Sequence, residues 1–114
     1  MIKVIALKNC HGLYYDFEVS GHAGYAENGF DIVCSAVTVL VFNTINSIET
    51  FTEDYLEYSY EPDGGYIKFS LPNIKKNNKP SKETDVLLKS LILGLESIEE
   101  EYGNKYLVIV AKEV

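Results

Sequence analysis

The sequence predicts an α+β fold: a single-layer mixed or antiparallel sheet packed on two helices, in the order β-β-α-β-β-α-β. Three observations carry that expectation. Short runs rich in Tyr, Val, Ile and Phe come in pairs around turn-forming residues, two longer stretches repeat apolar residues at helical spacing, and no segment repeats another. A chain of 114 residues suits one domain spanning 1–114, since domains commonly hold on the order of 100 to 150 residues.

Residues 2–7 alternate and then run apolar, and residues 13–19 are rich in Tyr, Phe and Val. Asn9, Cys10, His11 and Gly12 between them supply turn chemistry, which predicts an opening hairpin. Residues 20–30 hold Gly21, Gly24, Gly29 and Asn28 without a sustained period, so a flexible loop is expected there. From Ile32 to about Phe51 neither Gly nor Pro occurs, and Ile32, Val33, Ala36, Val37, Leu40, Val41, Ile45 and Ile48 recur at helical spacing. That predicts a mostly buried helix with Asp31 as its N-cap, because a carboxylate there accepts the unpaired N–H groups of the first turn.

Residues 55–60 and 66–71 predict a second hairpin around Glu61-Pro62-Asp63-Gly64-Gly65. Residues 74–80 are polar and basic and read as an exposed connection. Ser81 then caps a helix with Leu87, Leu88, Leu91, Leu95, Ile98 and Tyr102 on one face, and Gly103 ends it. Residues 106–111 have the length and composition of a buried strand.

The formal charge of −7 disfavours a phosphate-binding surface, since nucleic-acid affinity rests largely on Lys and Arg replacing counterions. A basic polypeptide partner suits it better. Lys75, Lys76, Lys79 and Lys82 are explained by a solvated connection rather than by direct nucleic-acid contact. No run approaches the roughly 18 to 20 continuous apolar residues of a membrane span, and the N-terminus lacks the plan of a signal peptide. A cytoplasmic protein without membrane contact is expected, its Cys10 and Cys34 being free thiols in a reducing compartment. No cofactor is implied, and a zinc site from Cys10, His11, His22 and Cys34 lacks ligand spacing, so no metal is expected.

The chemical candidates cluster between Gly21 and Ser35. With Asp31 as cap, Cys34 is the third helical residue, inside the positive field of the helix N-terminus, where a thiol beside an imidazole becomes a nucleophilic thiolate. His22 ends the preceding strand, and the loop can carry its imidazole to the sulfur. Backbone N–H groups around Gly29 and Cys34 are candidate oxyanion donors. Asp31 has two readings, as a plain cap or as the group that orients His22. Cys34 likewise reads either as a nucleophile or as a small hydrophobe of an apolar helix, and spacing by itself leaves both open.

Gly21-His22-Ala23, followed by Gly29-Phe30-Asp31-Ile32-Val33-Cys34-Ser35-Ala36-Val37-Thr38, resembles the signature of the ribosomal-processing cysteine protease family Prp. The likeness extends through the closing helix with Ser97-Ile98-Glu99-Glu100-Glu101-Tyr102. It implies a catalytic dyad of His22 and Cys34 with a mobile, substrate-shaping loop between them; Gly21, Ala23, Gly24, Gly29, Phe30 and Ser35 are the candidate substrate-loop and oxyanion residues, the oxyanion part read from position alone. It further implies a homodimer that removes the N-terminal extension of a bacterial large-subunit ribosomal protein, number twenty-seven of that subunit. The alternative from another class is a non-catalytic ribosome-assembly factor that binds the same protein.

Overall fold

The computed structural model describes residues 1–21, 30–62 and 64–114, with Phe30 and Asp31 described as helix but without their side chains. Along the chain run β1 (Ile2–Lys8), β2 (Tyr14–Ser20), α1 (Phe30–Phe51), β3 (Glu57–Tyr60), β4 (Tyr66–Ser70), α2 (Pro72–Lys75), α3 (Lys82–Tyr102) and β5 (Leu107–Glu113). The sheet is five-stranded in the order β3-β4-β2-β1-β5. All neighbours are antiparallel except β1 and β5, which pair in parallel with Ile2 opposite Leu107. The α+β class expected from the sequence is the one observed.

Period-2 alternation builds the core. On one face Ile2, Val4, Ala6, Phe17, Val19, Ile67 and Phe69 are buried, while the residues between them are half-buried or exposed. Phe17 and Phe69 face each other in register and their rings stack at 4.9 Å. Against that face α1 buries Val33, Val37, Val41, Ile45 and Ile48, and α3 buries Leu88, Leu91 and Leu95. Each such side chain contributes roughly 1.5–3 kcal/mol when removed from water.

Three departures from expectation have local causes. First, α1 begins at Phe30 instead of Ile32, so Asp31 lies inside the first turn rather than at the cap, a boundary shift of the size at which helix ends are ill-defined. Second, residues 72–75 form a short helix where an exposed connection was expected. Pro72 presets its first φ, and Ile74 is buried, but one apolar residue is too little for a periodic signal. Third, α1 is by length and composition apolar enough to cross a membrane. It is also not the mostly buried helix expected: one apolar stripe packs into the core, while Ile32, Val39 and Phe51 are exposed on the rest of its surface.

Two polar anchors hold the connections. The buried Asn9 side chain accepts from the His11 and Leu13 N–H groups at 2.9 and 3.1 Å and donates to the Ile74 carbonyl at 3.1 Å, tying the β1–β2 turn to α2. At the opposite end of α2's connection, Ser81 caps α3 by accepting from Thr84 N–H at 3.2 Å. The Ser81 N–H and hydroxyl both donate to Asp54, at 2.9 and 2.6 Å, just past the end of α1. Burial, the largest single influence, pushes the Asp54 carboxyl up, but hydrogen bonds from Ser81 and Thr84 together outweigh it and hold the group below the usual aspartate value.

A carboxyl lowered in the folded state stabilises above the unfolded pKa of about 3.9 and stops doing so as pH falls through its folded value. Asp54→Ala is therefore expected to cost about 1–2 kcal/mol at pH 7. Urea denaturation should show that gap narrowing below about pH 4; an equal gap at pH 7 and pH 3 would mean the charge contributes nothing.

Candidate active site

A cleft of ≈ 210 Å³ opens where β1 begins, β2 ends and the β3–β4 turn folds over α1. Helix α1 supplies Cys34, Val37, Thr38 and Phe42, four positions that share one helical face by their spacing. Ile2, Val19 and Ile67 form the sheet floor, and Tyr60, Glu61 and Tyr66 form the far wall. Phe42 and Tyr60 meet on the cleft in an edge-to-face contact, centroids 5.4 Å apart at 85°. Tyr66 donates its hydroxyl to Glu18 at 3.2 Å; burial and then the Glu18 carboxylate push that phenol up, so it acts as a neutral donor.

Cys34 is a free, half-buried thiol on this cleft. Because α1 starts at Phe30, Cys34 is its fifth residue and not its third. The field of a helix N-terminus fades within the first turn, so Cys34 lies farther from the helix end than the sequence predicts. Asp31, second in the helix, keeps a first-turn position; its side chain and that of Phe30 lie outside the described residues. Ser35 is exposed and is not part of the cleft wall. His22, Ala23, Gly24 and Gly29 also lie outside the described residues.

Gly21, the residue before His22, is placed on the cleft by two constraints. Its N–H donates to the Gly65 carbonyl at 3.1 Å, and its φ of 109° lies in the region that side chains rarely adopt. A Cβ there would fall against the Met1 carbonyl oxygen and 3.1 Å from the Ile2 Cα. The strand thus delivers the chain toward His22 from a fixed point on the same cleft that holds the thiol.

Cys10 and His11 sit in the β1–β2 turn, with the Cys10 Sγ 3.6 Å from the Asn77 side-chain oxygen. The cleft lies at the other end of that hairpin, roughly 20 Å away for a seven-residue strand, so these two residues cannot join Cys34 around one metal. Sequence reasoning missed Thr38, Phe42, Tyr60, Glu61, Tyr66 and Gly65 as cleft residues. Thr38 and Phe42 were within reach of it, lying one and two turns beyond Cys34; the others arrive only through long-range pairing of β2 with β4.

A half-buried thiol near the start of α1 thus opens on a groove with apolar and aromatic walls. The family model for cysteine protease Prp matches residues 1–107, and the ribosomal processing cysteine protease Prp of Staphylococcus aureus is 32% identical over 103 residues, 90% of this chain and 92% of that protein. The Bacillus subtilis protein of that name is 34% identical over 86 residues, 75% and 76% of the two chains, and a crystal structure of the S. aureus protease with a covalently linked product peptide matches with TM-score 0.82 at 30% identity, covering 98% and 100%. The chain belongs to the Prp family of ribosomal-processing cysteine proteases and is a cysteine protease.

Proposed function

We propose that this protease is an endopeptidase that removes the N-terminal extension of a bacterial large-subunit ribosomal protein, number twenty-seven of that subunit, with Cys34 as nucleophile and His22 as acid-base partner. The observation that carries this reading is that Cys34 and Gly21, the residue immediately before His22, line one cleft. The Cys34 sulfur attacks the scissile carbonyl carbon while its proton passes to His22. The carbon–nitrogen bond then breaks as His22 returns that proton to the leaving amine, and water hydrolyses the thioester with the same residue as base. Backbone N–H groups near Cys34 and Gly29 receive the oxyanion, and Asp31 orients His22 or supports the helix start. A covalently linked product peptide in the S. aureus protease agrees with such an acyl-enzyme route. The protein works as a homodimer in the cytoplasm, where its basic substrate meets a surface of net charge −7.

A synthetic peptide spanning the extension and the first residues of the mature ribosomal protein tests the reading by mass spectrometry. Cleavage at one bond, with a scrambled peptide left intact, is the expected result. A peptide that binds and stays whole would overturn it in favour of the assembly-factor reading.

A further inference from the structure

Among the described residues that line the cleft, Glu61 is the one that carries a charge. Its backbone is pinned on both sides: its N–H donates to the Tyr66 carbonyl at 3.0 Å, and its carbonyl accepts from the Gly64 N–H at 3.0 Å. The exposed side chain therefore projects from a fixed stub in the cleft wall. Its carboxylate makes no ion pair or hydrogen bond with any described residue. After burial and Glu18, it is among the carboxylates that push the Tyr66 phenol up, so its charge reaches the cleft wall. Of the other described walls, Ile2, Val19, Val37, Phe42 and Ile67 offer only apolar contact, and Thr38, Tyr60 and Tyr66 add uncharged hydroxyls. A carboxylate without a described partner, among described cleft residues that carry no other charge, favours one kind of additional ligand group, a cation.

We propose that Glu61 is a specificity-determining residue that reads a Lys or Arg of the substrate within about three residues of the scissile bond, the reach of an extended peptide at roughly 3.3 Å per residue across a cleft of this size. This rests on the endopeptidase reading above and adds which side chain of the substrate the groove selects. The carboxylate stands in solvent, so the selectivity is modest and salt-sensitive. An exposed ion pair corresponds to about two- to five-fold in kcat/KM, and it is screened on a length of ~8 Å at physiological ionic strength. Because the contact exists equally in the bound substrate and the transition state, it acts on KM and leaves kcat nearly unchanged.

The test uses the full chain and a set of junction peptides in which a single Lys, Gln or Glu is moved from three positions before the cleaved bond to three after it. For the unaltered enzyme in low salt, one position should favour Lys over Gln by about two- to five-fold, mostly through KM. Glu61→Gln should lose that preference at the same position, and Glu61→Lys should reverse it, preferring Glu. A change of fold would lower rates for all peptides alike and would not reverse a preference. Survival of the Lys preference in Glu61→Gln, or indifference to charge at every position, overturns the assignment while leaving the protease reading intact. If the unaltered enzyme cleaves none of the peptides, the endopeptidase reading itself falls, and this assignment with it.

Discussion

Cys34→Ala should lower kcat for the junction peptide by about 10⁴-fold or more, since removal of a covalent nucleophile leaves only binding and oxyanion stabilisation. Binding of the peptide should change little. Cys34 occupies one wall of a cleft whose other walls come from β1, β2, α1 and the β3–β4 turn, and loss of one Sγ leaves those contacts in place. Being only half-buried, the site also tolerates the truncation, so the melting temperature should move by no more than a few degrees. His22→Ala should fall by a comparable factor, and the double variant no further, because residues that act as one unit are not additive. Peptide turnover by Cys34→Ala within tenfold of the unaltered enzyme would remove Cys34 from the chemistry. Equilibrium binding by fluorescence anisotropy, run beside a single-turnover cleavage assay, separates the two effects.

Gly21→Ala should be the most damaging change outside the reacting groups. Alanine at φ 109° costs about 1–3 kcal/mol by conformation alone. Its Cβ would also press on the Met1 carbonyl and the Ile2 Cα, backbone atoms at the start of β1, a strand held on both sides by β2 and β5. The strand end must then move, and the bond from Gly21 N–H to the Gly65 carbonyl moves with it. A loss of about 2–4 kcal/mol in stability is expected, with kcat/KM falling even at temperatures where the variant stays folded, since His22 follows directly in the chain. Gly12→Ala provides the comparison. Gly12 also has a positive φ, 75°, but nothing lies within 4 Å of a Cβ added there, and it sits at the far end of the hairpin. That variant should lose about 1 kcal/mol and keep its activity. Equal damage from the two substitutions would show that the close approach at Gly21 is unimportant. Urea denaturation and peptide cleavage at one temperature measure both quantities.

What the sequence determined by itself was local. Alternation in residues 2–7 and 13–19, the helical stripe from Val33 to Ile48, the Ser81 cap and the Gly103 stop are all readable because strand and helix periods, caps and turns depend on neighbours within a few residues. The same holds for Cys34 as a candidate: a cysteine near the start of a helix is visible in the sequence, and its resemblance to a known signature gave the chemistry. Tertiary structure decided the rest. No local pattern states that β5 lies parallel to β1, that Ile74 is buried in a short α2, or that the end of β3 and the β3–β4 turn bring Tyr60, Glu61 and Gly65 to the cleft that holds the thiol. These contacts join residues tens of positions apart, and which of the permitted pairings forms is chosen by the apolar area that the whole chain removes from water. The need for glycine at position 21 belongs to that second kind of fact. In the sequence it is one glycine of a loop; in the fold it is where the first strand leaves no room for a side chain, and where the chain is set on the cleft that holds Cys34.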